Sequence, residues 1–211
     1  METIQLRHHG ENDEILIVIL NRPEVMNALN TQLITELLSV FRKNAYNDNL
    51  RCVIITGAGN KAFSAGGDLK ERNHMTDQEW RHQHQLIEEL FLTIKDFPLP
   101  VIASVEGYTF AGGCELALLA DFIIASETAK FALTEVTRGI MPGGGGLQNL
   151  PRAIGVRRAK ELIFTGRSID SNLAYEWGLV NKVVQKGKAL DESIVIAEKI
   201  VDSAPMAVKM A

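Results

Sequence analysis

Cysteine is scarce in this chain: two among 211 residues, Cys52 and Cys114, each inside an apolar run and not spaced as a C-x-x-C pair. A disulfide framework, a zinc site and a dithiol redox centre are therefore unsupported. Both thiols are expected as reduced core residues in a reducing compartment. Long apolar runs are also missing. Ile15 to Leu20 has strand length, far short of the roughly 18 residues a membrane span needs. The opening METIQLRHHG has no basic stretch leading into an apolar one, so no signal peptide and a cytoplasmic location are expected. Excess positive charge is absent: 22 Lys and Arg stand against 26 Asp and Glu, a net charge of −4. Phosphate backbones require clustered cations, so neither nucleic acid nor membrane is expected as a partner. The histidines, His8, His9, His74, His82 and His84, all lie in polar segments, and no metal site is read from them. Internal repeats, low-complexity tracts and long linkers are missing too.

What is present suffices for one sizeable core. Hydrophobic residues make up 46% and charged residues 23%, ordinary values for a globular chain of one large domain. Residues 4–8 and 15–20 flank the polar turn GENDE and predict a hairpin. Asn30 reads as a helix cap, followed by Leu33, Ile34, Leu37, Leu38 and Phe41 at helical spacing. Buried strands are expected at Cys52–Thr56, Val101–Val105 and Phe122–Ala125, and a late strand at Leu179–Val184. Helices are expected through Trp80–Ile94, Gly113–Ala120, 145–153, 156–164, 170–177 and Leu190–Val201, with a last one starting at Pro205. Strands as continuous apolar runs, alternating with helices, predict an α/β layered fold.

Three glycine clusters each lead into a helix: SAGGD (64–68), FAGGCE (110–115) and PGGGG (142–146). Helix starts offer unpaired N–H groups and the positive end of the dipole, and glycine admits close approach. Such points suit a phosphate or a developing oxyanion, or they only make tight turns. Gly57, Gly59 and Ala62 fit the G-x-G-x-x-A dinucleotide pattern, but Ser64–Gly67 follows where a helix should run. Glu115 lies in GGCELALLADFIIA among apolar neighbours. Buried, it would have a raised pKa suited to acid–base work; at a helix start, it could be merely dipole-stabilised. Glu135, in FALTEVTRGIMPG, is either its partner in holding one water or a loop acid. Asp121 reads as a structural cap.

Five stretches in order, LNRPEVMNALNTQL, RCVIITGAGNKAFSAGGDLKE, PVIASVEGYTFAGGCELALLADFIIA, FALTEVTRGIMPGGGGLQNLPRAIG and LIFTGRSIDSNLAYEWGLVNKVV, resemble the crotonase superfamily of enoyl-CoA hydratases and isomerases. The resemblance implies a spiral of ββα units over 1–186. It assigns 187–211 to the start of a C-terminal helical trimerisation and lid region, and that region is expected to be truncated here. It implies an acyl-CoA thioester as substrate, no metal or other cofactor (coenzyme A being part of the substrate), and trimers or dimers of trimers. It places an oxyanion hole at the N–H groups of Gly67 and Gly112, and catalytic carboxylates at Glu115 and Glu135. Ala28, Ala65, Gly66, Asp68, Leu69, Lys70 and Gly143 fall along the implied CoA path. Gly67 stands where hydratases commonly carry Ala. Two glutamates imply a hydratase or dehydratase acting across the 2,3 double bond. The alternatives are an isomerase using one glutamate, or a non-catalytic acyl-CoA- or RNA-binding relative.

Overall fold

The computed structural model describes residues 1–211. Ten strands form two sheets. In chain order the strands are β1 (Ile4–His9), β2 (Ile15–Leu20), β3 (Cys52–Gly57), β4 (Ala62–Ser64), β5 (Val101–Val105), β6 (Tyr108–Phe110), β7 (Phe122–Ser126), β8 (Lys130–Ala132), β9 (Ile169–Asp170) and β10 (Lys182–Val184). The helices are α1 (Thr31–Asn44), α2 (Leu69–Arg72), α3 (Asp77–Lys95), α4 (Gly112–Leu118), α5 (Gly146–Ile154), α6 (Val156–Thr165), α7 (Ser171–Glu176), α8 (Ala189–Val201) and α9 (Pro205–Met210). Short 3-10 turns lie at Pro23–Val25 and Glu135–Arg138.

The large sheet runs β1-β2-β3-β5-β7-β10 and the small one β4-β6-β8-β9. The expected hairpin is present: β1 pairs antiparallel with β2, Ile4 opposite Leu20. From β2 to β10 the large sheet is parallel. Three successive turns, starting at β3, β5 and β7, each add one strand to the large sheet, then one to the small sheet, then a helix or 3-10 turn. This is the spiral of ββα units that the resemblance implies.

Burial on both faces explains the unbroken apolar runs. One face of the large sheet, including Leu16, Val18, Val53, Ile55, Val101 and Ala103, joins the main core beneath α1 and α4. The alternate residues Ile15, Ile17, Cys52, Ile54, Ile102 and Ile124 form a second cluster under α8, with Ala197 buried among them and Leu190 and Ile194 packed alongside. Thus α8 covers the sheet, whereas α9 has no buried residue. Asn30 caps α1 as expected, its side chain accepting from Leu33 N at 3.0 Å.

Two expectations need correction. The late strand is shorter than predicted because Leu179 and Val180 point their amides back to the Ala174 carbonyl, at 2.8 and 3.2 Å, and only Lys182–Val184 pairs with β7. The buried helix after the second glycine cluster ends at Leu118, before Leu119 and Ala120. The strands β4, β6 and β9 were not legible: two or three residues carry no period.

The small sheet sets up the site. Strands β4, β6 and β8 are parallel neighbours. The residues after their C-terminal ends are Gly67, Gly112 with Glu115, and Glu135, one group from each successive turn of the spiral.

Candidate active site

Gly67 and Gly112 are brought together although 45 residues separate them in sequence. A methyl built on Gly66 would sit 3.1 Å from the Gly112 nitrogen, and one on Gly112 would sit 3.8 Å from the Gly67 nitrogen. At Gly67 a single parallel bridge to Leu29 uses the flanking groups: Leu29 N donates to Gly66 O at 2.8 Å and Asp68 N to Leu29 O at 3.0 Å. The Gly67 N–H itself donates to no protein acceptor, and the Gly112 N–H is an unpaired first-turn donor of α4. Two neighbouring free amides are the geometry for gripping one oxygen as it gains negative charge.

The approach to Gly112 is strained. Ala111 has φ 49° and ψ −127°, a conformation alanine rarely adopts, which costs about 1–3 kcal/mol. Its N–H donates to Ala132 O at 2.8 Å and its carbonyl accepts from Glu115 N at 3.0 Å, so both neighbours hold it there. Sequence reasoning missed this residue, since nothing in an alanine signals positive φ.

Glu115 projects from the first turn of α4 and is 5% exposed; Glu135 opens its 3-10 turn and is 7% exposed. The surface-loop reading of Glu135 is therefore excluded, and Glu115, although at a helix start, is buried instead of partly exposed. Oε1 of Glu115 accepts from the N–H groups of Gly144 at 2.7 Å and Gly146 at 2.9 Å. The third glycine cluster thus supports a carboxylate of its own chain. A methyl on Gly144 would lie 2.2 Å from Phe91 Cε2 and 2.8 Å from Glu115 Oε2, which explains why glycine is needed there. Burial raises the Glu115 pKa, and the two amides oppose that rise. Glu135 has a buried Oε2 with no hydrogen-bond partner. Burial pushes its pKa from 4.5 up to about 7; its own backbone N–H lowers it, and the neighbouring charge of Glu115 raises it further. One carboxylate is amide-bound and oriented, and the other readily holds a proton near neutral pH.

The raised pKa has a consequence for stability. Below pH 4.5 Glu135 is protonated folded or unfolded and contributes nothing. Between 4.5 and about 7 the folded state binds the extra proton, so stability falls with rising pH. Above that window the ionised buried group costs about 1–3 kcal/mol. Glu135→Gln is therefore expected to raise Tm by about 2–12 °C at pH 8.5 and to leave it unchanged at pH 4. Thermal unfolding of both proteins across pH checks this.

The implied CoA-path residues are placed as follows. Ala28 is buried, with its carbonyl accepting from Arg22 Nη1 at 2.6 Å. Ala65 and Gly66 form the turn after β4, Gly66 at φ +91°. The Asp68 carboxylate is occupied: it accepts from Lys70 N and Glu71 N and pairs with Arg22 at 2.9 Å. Those hydrogen bonds and the Arg22 charge outweigh its burial and hold its pKa below the ordinary value. Leu69 and Lys70 are exposed on α2, and Gly143 borders open space. Asn27, unnoticed in the sequence, is fully buried and ties this segment to the β3–β4 turn, donating to Ala58 O at 3.1 Å and Ala62 O at 2.8 Å. The G-x-G-x-x-A segment joins two strands instead of opening a helix, so no dinucleotide turn exists there. Asp121 is structural, accepting from Val101 N at 2.7 Å. Both cysteines are free and buried.

Comparison with known proteins bears on the family and the fold. Residues 10–211 match the family model described as "Enoyl-CoA hydratase/isomerase". A short-chain-enoyl-CoA hydratase of Clostridium acetobutylicum is 41% identical over 197 residues, covering 93% of this chain and 76% of the relative. A crotonyl-CoA hydratase of Syntrophomonas wolfei is 40% identical over 202 residues, covering 95% and 77%. The crystal structure of an enoyl-CoA hydratase from Bacillus anthracis superposes with a TM-score of 0.95 at 43% identity, covering 98% of this chain and 80% of the other. With a spiral core, neighbouring free amides and two buried glutamates in place, the chain belongs to the enoyl-CoA hydratase/isomerase family.

Proposed function

We propose that this protein hydrates the 2,3 double bond of a 2-enoyl-CoA thioester, or runs the reverse dehydration. The observation that carries this reading is the pair of buried glutamates in unlike environments beside two free amides. The thioester oxygen binds the N–H groups of Gly67 and Gly112. Glu115, oriented by the N–H groups of Gly144 and Gly146, takes a proton from water in its ionised form while the water oxygen bonds to Cβ. The double-bond electrons move to give an enolate, whose charge the two N–H groups stabilise; one such donor is typically worth about 3–4 kcal/mol. Glu135 donates its proton to Cα. The proton then passes from Glu115 to Glu135 to reset the pair. No metal or redox group takes part.

The relatives named for short-chain and crotonyl substrates support a short acyl group. We further propose that copies assemble as trimers or dimers of trimers in the cytoplasm, as family membership and the two reduced thiols suggest.

The test is the loss of conjugated-thioester absorbance when the protein meets crotonyl-CoA. Rapid loss is the expected result; silence with crotonyl-, branched and polar enoyl-CoAs would overturn the reading. The pH profile adds a second constraint. Hydration requires Glu135 protonated, so kcat/KM should fall about tenfold per pH unit above about 7. Dehydration uses the same singly protonated pair with the proton on Glu115, and the overall equilibrium takes up no proton, so its kcat/KM should fall over the same range.

A further inference from the structure

Beside the oxyanion-binding amide of Gly67 lies a cation that the hydration scheme does not use. A methyl on Gly67 would sit 2.8 Å from Arg72 Cζ and 2.9 and 3.0 Å from its two Nη atoms. The guanidinium therefore fills the volume that a side chain at position 67 would take. It is not a loose surface arginine. Its Nε donates to Gln83 Oε1 at 2.9 Å, and Gln83 is 1% exposed. Gln83 in turn donates to Thr31 Oγ1 and Glu71 Oε2, both at 2.8 Å, joining α1, α2 and α3. The two nearest acids are used elsewhere: Asp68 by Arg22 and by two amides, Glu71 by Thr31 N and Gln83. Arg72 makes no salt bridge, and neither Nη donates to a protein acceptor. Burial lowers its pKa, with the charges of Glu71 and Asp68 opposing that. An arginine stays charged under such a shift, so a cation stands partly desolvated and without a contacting counter-charge.

We propose that Arg72 is a positioning residue of the oxyanion site: clamped by Gln83 against Gly67, its charge strengthens the field at the Gly67 N–H and stabilises the enolate that forms there. This rests on the reading of Gly67 as an oxyanion donor. A fixed charge in a partly water-excluded site acts mainly where charge develops, so it affects the transition state more than substrate binding. It also accounts for glycine at position 67. An alanine methyl would push the guanidinium off Gln83.

The test compares the parent, Arg72→Met, Arg72→Lys and Gly67→Ala, using crotonyl-CoA turnover, Tm and the red shift of a conjugated dienoyl-CoA on binding, which reports polarisation of the thioester carbonyl. Arg72→Met should lower kcat about tenfold, change KM less than twofold, and shrink the red shift. Arg72→Lys should recover part of both effects. Gly67→Ala should resemble Arg72→Met. A parent that turns over crotonyl-CoA while Arg72→Met keeps full kcat and red shift would overturn the proposal alone. So would a variant with lower Tm but an unchanged red shift, since that is a packing role. A parent that neither hydrates any enoyl-CoA nor shifts the dienoyl spectrum would overturn the underlying site reading instead.

Discussion

Glu135→Gln is expected to lower crotonyl-CoA hydration by about 10²–10⁴-fold with KM changed only a few-fold, the range for removing one general acid. The amide keeps the shape of the acid but has no proton of suitable acidity for Cα. Its environment makes the separation from folding clean. Glu135 Oε2 has no partner, so the substitution breaks no hydrogen bond of that atom and removes a buried charge. Lost activity should therefore accompany raised stability at alkaline pH, a combination that a misfolded variant cannot produce. Glu115→Gln should lose hydration comparably, but for a different reason. An amide oxygen can still accept from Gly144 and Gly146, so the loop stays in place, while the base that takes the water proton is gone. Measured kcat, KM and Tm for the two variants check these statements; retention of more than a tenth of the parent rate by Glu135→Gln would contradict the assigned role.

The second large effect is structural. Gly113→Ala should destabilise the protein by about 3–5 kcal/mol, a Tm loss of about 6–20 °C, and abolish activity in whatever fraction folds. A methyl there would sit 2.3 Å from the backbone carbonyl oxygen of Ser64 and 2.8 Å from its carbonyl carbon. Both partners are backbone, one in β4 and one in the first turn of α4, so no rotamer change can relieve the clash. The helix has to move away from the strand. That same contact holds the turn carrying Gly67 near the turn carrying Gly112, so separating them opens the oxyanion pair. Gly143→Ala serves as the control. Nothing lies within 4 Å of its added methyl, and its effect on stability should be within about 0.5 kcal/mol, a Tm change of about 2 °C at most. Equal Tm values for the two variants would contradict the packing argument.

The parts of this protein read from sequence are those with a period or a cap. Six-residue apolar runs such as Ile15–Leu20 announce strands buried on both faces, and the amphipathic spacing after Asn30 announces α1 together with its cap. Glu115 and Glu135 stood out because carboxylates in apolar, glycine-framed segments demand an explanation, and the structure buries both. Strands β4, β6 and β9 of the small sheet escaped notice because two or three residues cannot display alternation.

The layered α/β class, the doubly buried strands, the family and the two suspect glutamates are legible in the sequence, because these depend on composition, local period and local motif. The remaining features come from packing in three dimensions. That PGGGG supplies two amides to Glu115, 29 and 31 residues away in sequence, is set by packing between distant turns of the spiral. The strain at Ala111 arises in the same way, its N–H held by Ala132 O on the next turn. These are relations between backbone groups and side chains from separate turns. No local pattern encodes them, since each exists only once β4, β6 and β8 lie side by side.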